Sequence, residues 1–585
     1  MNSKEIHRLF DILPYQLVTH PLEDALVTKT NGYWENISTQ NYIELTHIVS
    51  RGLLRLNLKK GDHVIIISST NRSEWNILDI GLQQVGAISV PIYPTNSDED
   101  NQYIFQQTKA IYCFVSDQTL YEKIQPFKDE ILSLREIYCF DTVPGVPNWK
   151  NLLTLGRDEN LQRELEQIKS SIQANDIVTL IYTSGTTGTP KGVMLSHQNI
   201  LSNIYASSER LSGTSIRRAL SFLPCCHIFE RMILYFYQYH GISIYFSESL
   251  ESIEENAREI QPHIMTAVPR LLEKIYTEGT KGTWLKRNLF RWSIKLAERY
   301  EPYQKTNLQH RLADLLIFKR YYQALGGKIQ AIILGSAALS PQLNRFFHAI
   351  GLPIIEGYGL TETAPVIAVN GLRPADLKVG TVGKPIKGIK LKIAKDGEIC
   401  IKGPNVMKGY FKNPERTAKS FDPEGYFLTG DIGALKNGFL SITDRKKEIF
   451  KTSGGKYIAP QILENLFKKS HFIEQIMVVG EGEKMPCALI QPDFSFLRDW
   501  MERKGLSVPQ SDKKLILQVE IIERISQEIE THNQTLGQWE RIKKFALTPE
   551  IWSIQSGHLT PTLKLRRKII QKKYYALYEE MYGKK

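Results

Sequence analysis

A chain of 585 residues is too long for one hydrophobic core, so several domains or subdomains are expected. Its 42% hydrophobic and 23% charged residues are those of a globular protein, and no window supplies the roughly 20 apolar residues of a membrane-spanning helix. The formal charge of +12 suits a polyanionic partner, but no zinc-knuckle, RRM or helix-turn-helix pattern accompanies it, which turns the reading away from nucleic acid. The polar start Met1-Asn2-Ser3-Lys4-Glu5 lacks a signal-peptide apolar region, so a cytoplasmic protein is expected. Six cysteines (Cys113, Cys139, Cys225, Cys226, Cys400, Cys487) lack C-x-x-C spacing and read as free thiols. Cys225-Cys226-His227 has no second ligand cluster, so metal ligation there is not favoured.

The first third alternates strands and helices. His63 to Ser68 reads as a buried strand, and Arg72 to Val85 as a helix with Trp75, Leu78, Leu82 and Val85 on one face. Ala87 to Val90 reads as a strand closed by Pro91, and Ile111 to Val115 as another. The charged stretch Arg157 to Lys169 reads as an exposed helix. Ile177 to Ile181 is then a short buried strand leading into a loop.

That loop is Tyr182-Thr183-Ser184-Gly185-Thr186-Thr187-Gly188-Thr189-Pro190-Lys191-Gly192. Glycines let backbone N–H groups approach an anion, and hydroxyls and one ammonium complete a polyphosphate cradle. It is not a Walker A loop. Pro190 stands where the second glycine would be, and Gly192 replaces the Ser or Thr after the lysine.

Further on, Ala331 to Gly335 and Pro353 to Gly357 read as strands ending in glycine loops, where α/β enzymes place their chemistry. Glu356-Gly357-Tyr358-Gly359-Leu360-Thr361-Glu362-Thr363 offers an aromatic for a flat base. It also offers a threonine and a carboxylate for phosphate and a divalent cation. Near residue 385 the pattern turns to β. Ile389, Leu391 and Ile393 face Ile399 and Ile401 across Asp396-Gly397, and Asn437-Gly438 marks a second hairpin. Asp431, in Thr429-Gly430-Asp431, suits two vicinal hydroxyls, with Asp444-Arg445-Lys446-Lys447-Glu448 just beyond. A last cluster is Leu559-Thr560-Pro561-Thr562-Leu563-Lys564-Leu565-Arg566-Arg567-Lys568.

In this order and spacing the clusters resemble those of the adenylate-forming superfamily, over about Gly61 to Lys568. Leu223-Pro224-Cys225-Cys226-His227-Ile228-Phe229-Glu230-Arg231, Val268-Pro269-Arg270-Leu271-Leu272-Glu273-Lys274 and the Leu-Thr-Pro-Thr-Leu-Lys ending resemble its long-chain fatty acid–CoA ligase branch. The resemblance implies an α/β fold. A large N-terminal domain, 1–445, would hold layered α/β subdomains and a β-rich distorted barrel at 380–443. A small mobile α+β C-terminal domain, 446–585, would carry the catalytic lysine. It implies ATP and Mg²⁺ as cofactors, with coenzyme A as co-substrate, and a two-step reaction through an acyl-adenylate. A ligase that loads an acyl carrier protein is the alternative.

By the same resemblance Thr183, Ser184, Gly185, Thr186, Thr187, Gly188 and Lys191 hold the triphosphate. Gly357, Tyr358 and Gly359 lie against adenine, Thr361 contacts the α-phosphate, and Glu362 binds Mg²⁺. Ser336 lines the junction of adenine and acyl pockets, and His227 borders the acyl pocket; as a residue, His227 also reads as a satisfied core histidine. Asp431 takes the ribose hydroxyls with Arg445 beside it. Lys564 bridges carboxylate and α-phosphate, and Lys447 is the hinge. Rotation about it brings Gly454, Gly455 and Lys456 to the nucleotide. One departure is Leu563, where many relatives have glycine.

The segment 284–299 carries an apolar stripe (Leu285, Leu289, Trp292, Leu296) and a basic one (Arg287, Arg291, Lys295, Arg299). Two readings stay open: a helix on the inner membrane face, or a helix packed on its own domain with a solvated basic side.

Overall fold

The computed structural model describes residues 6–183, 189–211, 213–278, 284–304, 307–560 and 564–584. The chain divides into two compact units. One comprises Met1–Lys392, Cys400–Leu428 and Leu435–Ser441; the other comprises Ile393–Ile399, Thr429–Ala434 and Ile442–Lys585.

Two sheets organise the first unit. One runs in the order Gly409–Tyr410, Lys191–Ser196, Ile177–Thr183, Ile88–Ile92, His63–Ile67, Tyr112–Val115, Glu136–Cys139. Its central strands are parallel and buried on both faces, which is why they read as unbroken apolar runs. The helix Ser73–Gln84 stands where the Trp75/Leu78/Leu82 spacing put it. Pro91 does not close its strand, which runs on to Ile92. Pairing with Ile177–Thr183 is registered only at Ser89↔Thr179, so the missing proline N–H falls beyond that ladder. The other sheet has Lys384–Pro385, Val366–Val369, Ile354–Gly359, Ala331–Leu334, Ile264–Ala267, Arg218–Ser221, Ser243–Phe246, Leu26–Thr30 and Tyr33–Ile37 in that order.

The helix Ile228–Tyr239 is buried through Gln238, and adjacent residues of its first turn reach different sheets. Glu230 accepts hydrogen bonds from Ser221 Oγ (2.5 Å) and Thr266 Oγ1 (2.6 Å), on two neighbouring strands of the second sheet. Burial pushes its carboxyl up to about 7. Arg231 turns toward the first sheet. It donates to Thr179 Oγ1 (2.7 Å) and Ser89 Oγ (2.8 Å), and pairs with Asp79 Oδ1 at 2.5 Å; Tyr235 also donates its hydroxyl to Asp79.

The helix Trp284–Ala297 packs Phe290, Ser293 and Ala297 inward and half-covers Leu289, Trp292 and Leu296, while Arg291, Lys295 and Arg299 are exposed. That is the arrangement of a helix seated on its own unit. The side chains of Leu285 and Arg287 lie outside the described residues.

In the second unit, Ile473–Val479 pairs antiparallel with Cys487–Pro492, which pairs parallel with Phe545–Leu547. Ile476, Val478, Ala488 and Ile490 face a core with Leu463, Leu497, Ile521 and Ile525, whereas Met477, Val479, Cys487 and Leu489 face Trp552, Ile570 and Tyr578. The two-residue alternation thus serves two separate cores. Lys390–Ile393, Glu398–Lys402, Phe427–Lys436 and Phe439–Arg445 form a separate four-stranded sheet that belongs to neither unit alone. Its turns fall where expected, with Gly397 at φ +86°, and Asn437 and Gly438 at +55° and +78°. No described helix is long and apolar enough to cross a membrane.

Candidate active site

The two strands that flank the glycine- and threonine-rich loop pair antiparallel. The strands continue further into it than the apolar run indicated, so that Tyr182, Thr183, Lys191 and Gly192 are all in register and Thr183 faces Lys191. A Cβ at Gly192 would meet the Tyr182 ring at 3.0 Å, which accounts for the glycine after the lysine. Ser184, Gly185, Thr186, Thr187 and Gly188 lie outside the described residues.

The strand Ile354–Gly359 leads into the turn Thr361–Thr363 and back along Val366–Val369, with Tyr358 opposite Ala368. Gly359 is forced by close approach, since a Cβ there would sit 1.8 Å from the Pro365 carbonyl oxygen. At Gly357 the nearest protein atom would be 3.5 Å away, ordinary contact, so the protein backbone does not demand that glycine. The turn is fastened from behind. Asn203 and Asn405 donate to the Thr363 carbonyl (3.0 and 3.2 Å), and Met407 N–H donates to that of Glu362 (2.9 Å).

Tyr410 ties this turn to the hairpin. It sits on the two-residue strand Gly409–Tyr410, paired with Val193 two residues beyond Lys191. Its hydroxyl donates to Glu362 Oε1 at 2.8 Å, and its ring lies under Lys191 Nζ (5.3 Å) and the Arg416 guanidinium (5.6 Å). Burial and the Glu362 carboxylate push its phenol up, so it stays a donor. Thr361 and Glu362 offer oxygen donors only. That suits a hard cation that keeps water and phosphate oxygens as its other ligands. Among the described residues no group of three His, Cys, Asp or Glu side chains is assembled for a metal.

His227 caps the helix Ile228–Tyr239, its Nδ1 accepting from Phe229 N–H at 3.1 Å, so the neutral ring carries its proton on Nε2. The Phe229 ring packs where a Cβ at Gly335 would stand, 3.1 Å away, which links this helix start to the loop holding Ser336. Ser336 adopts φ +72°, a strained backbone for serine. At the far end of that loop, Leu339 N–H (3.4 Å) and Asn344 Nδ2 (2.6 Å) donate to Glu356, whose carboxyl burial pushes up to about 7. Cys225 and Cys226 are buried thiols pushed up by desolvation.

The second unit holds the remaining expected residues. Asp431 is buried and pairs with Arg445 Nε at 3.3 Å. Lys446 is gripped by Asp396 and Glu398, both at 2.6 Å, whereas its neighbour Lys447 is exposed. Gly454, Gly455 and Lys456 form a tight turn, closed by Thr452 N–H to the Lys456 carbonyl at 2.9 Å. Lys564 is exposed at the end of a loop. Its carbonyl accepts from Thr560 N–H (2.8 Å), and its N–H donates to Thr560 Oγ1 (3.0 Å). Leu563 lies outside the described residues. Three residues on, Arg567 anchors the loop's base by pairing with Glu464 (2.5 Å) and Glu448 (3.3 Å). Tyr410 was not singled out from the sequence, since a tyrosine after glycine carries little signal, and Arg567 stood there only as part of the basic end of the last cluster.

The AMP-binding enzyme family matches residues 15–411, and the AMP-binding enzyme C-terminal domain matches 447–585. The chain belongs to the AMP-binding enzyme family. It is 33% identical over 567 residues to a protein of Mycobacterium bovis named long-chain-fatty-acid–CoA ligase FadD15, covering 95% of this chain and 93% of the relative. It is 30% identical over 590 residues to human long-chain-fatty-acid–CoA ligase 1, covering 95% and 83%. The fold is that of the adenylation domain of a carboxylate reductase from Mycobacterium chelonae (TM-score 0.76, 22% identity, 100% and 92% covered). It is also that of the anthranilate CoA ligase AuaEII (TM-score 0.71, 18% identity, 98% of each chain).

Proposed function

We propose that the chain is an AMP-forming long-chain fatty acid–CoA ligase. The observation that carries this reading is likeness along nearly the whole chain to proteins of that name. The Lys191–Tyr410–Glu362 cluster in one unit and the exposed Lys564 in the other support it.

In the first step a fatty acid carboxylate oxygen attacks the α-phosphorus of ATP, and the bond to pyrophosphate breaks. Two anions must meet, so cations carry the catalysis: Lys191 with the loop 183–188 on the polyphosphate, and Lys564 between carboxylate and α-phosphate. Gly357, Tyr358 and Gly359 receive adenine, Ser336 the junction with the acyl chain, and Asp431 and Arg445 the ribose. Thr361 contacts the α-phosphate, and Glu362 would hold Mg²⁺, which neutralises phosphate charge when bound. In the second step the thiol sulfur of coenzyme A attacks the acyl carbon, AMP leaves, and the thiol proton passes to solvent. Lys447 is the hinge between the steps, and Gly454, Gly455 and Lys456 serve the second. The domain limits 1–445 and 446–585 belong to the same proposal.

AMP release from MgATP, measured across short to long fatty acids with and without coenzyme A, tests the reading. Coenzyme-dependent turnover that peaks on long chains is expected. Pyrophosphate release without turnover on coenzyme A would move the acceptor to a carrier protein, and silence on all acids would end the reading. Tyr410→Phe keeps the ring but frees Glu362. Its kcat/KM for MgATP should fall about ten- to a hundredfold, the usual cost of losing a group that orients a metal ligand. The half-saturating Mg²⁺ concentration should rise, and an unchanged Mg²⁺ dependence would remove Tyr410 from that role.

A further inference from the structure

The helical run 308–324 continues through Leu308–Ala313, a π-turn at Asp314–Phe318 and Lys319–Ala324. Its inner face is ordinary core: Ala313, Ile317 and Phe318 are buried. Its outer face is not ordinary surface. Leu308, Leu312, Leu315 and Leu316 are 81%, 50%, 69% and 37% exposed. Leu312, Leu315 and Leu316 follow Leu308 by four, seven and eight residues, which puts them on one side of the helix. A run of leucines turned to water costs free energy unless something covers it.

The charges beside the leucines say what covers them. Arg311, Lys319 and Arg320 are exposed, each three or four residues from one of those leucines, and Asp314 is the exposed acid in the same stretch. Long basic side chains can reach outward past buried leucines to phosphate groups. A second copy is the poorer occupant. In a two-fold contact the same patch meets its symmetry mate, so the cations Arg311, Lys319 and Arg320 of one copy would lie against the cations of the other.

We infer that the helical face carrying Leu308, Leu312, Leu315 and Leu316 docks on an anionic lipid bilayer, leucines in the acyl boundary and flanking cations on the headgroups. The docking face is therefore this run, where the apolar side is open, rather than the 284–299 stripe, whose Leu289, Trp292 and Leu296 are half-covered. The preference for lipid over a protein partner rests on the proposed fatty-acid reading; the exposed face itself does not.

The test is co-sedimentation of the full chain with vesicles of phosphatidylcholine alone or mixed with phosphatidylglycerol, without fatty acid. The chain should prefer the mixed vesicles and lose that preference as salt rises. L312E/L315E should weaken binding by about tenfold or more, since two leucines leave the acyl boundary. R311Q/K319Q/R320Q should weaken it by about tenfold or more and flatten the salt dependence. Both variants should keep the wild-type melting temperature and AMP release on a soluble short-chain acid. Equal binding to both vesicle types, or wild-type binding by L312E/L315E, would overturn the inference. So would a fall in solution mass in L312E/L315E, which would make the face a contact between copies. If the ligase reading alone is wrong, AMP release is absent while vesicle binding follows this pattern.

Discussion

Lys564→Ala should lower adenylate formation by about a hundred- to a thousandfold, the range for removing one preorganised group that stabilises developing charge. It should largely spare thioester formation from supplied acyl-adenylate. The prediction follows from what the loop holds in place. Thr560 fixes the Lys564 backbone on both sides, and Arg567 pins the base of the loop through Glu464. Those bonds are made by the Lys564 backbone, Thr560 and Arg567, so alanine removes an ammonium and keeps them. ATP–pyrophosphate exchange reads the first step, and acyl transfer from synthetic adenylate reads the second. Equal loss in both would contradict a role confined to adenylation.

The largest effect on stability should come from Arg231→Ala. Arg231 is 0% exposed and Asp79 1%, so the carboxylate lies out of reach of bulk solvent. Removing one member of such a pair typically costs about 3–5 kcal/mol, because the other is left charged and buried. Asp79 would retain Tyr235 and Gln83 as donors, which relieves part of that cost. Arg231→Met with Asp79→Leu should be milder than the single change, since no bare charge remains. Urea denaturation of the three proteins decides it. A single variant within about 1 kcal/mol of wild type would mean that the pair is not a structural bond.

Much of this architecture was legible from the residues. His63–Ile67 and Tyr112–Val115 declared themselves because central parallel strands are apolar on both faces. The two hairpins did so because Asp396-Gly397 and Asn437-Gly438 favour the left-handed backbone such turns require. Glu230-Arg231 stood out as a marker of a family branch, but its structural duty was hidden, because Ser89, Thr179, Ser221 and Thr266 come from four separate strands. Leu26–Thr30 gave no hint that it would pair with Ser243–Phe246, a parallel contact set by topology. In the candidate site, loop-end residues such as Tyr358 and Glu362 were visible as motifs. Tyr410 was not, since a two-residue strand has no periodicity. The leucines of 308–316 could not be told from a core stripe, because spacing is the same whichever way a helix turns.

The six cysteines bear on redox chemistry. All are buried and none is joined in a disulfide, and burial drives the thiols of Cys113, Cys139, Cys225, Cys226 and Cys487 above the ordinary cysteine range. Thiol–disulfide exchange needs an accessible thiolate, and these positions deny both access and charge. A ligase of the proposed kind spends its life beside a thiol co-substrate whose oxidised form is a disulfide. With its own sulfurs sealed away, the folded protein would form no mixed disulfide with that co-substrate, and oxidation of the thiol pool would starve the second half-reaction without marking the enzyme itself.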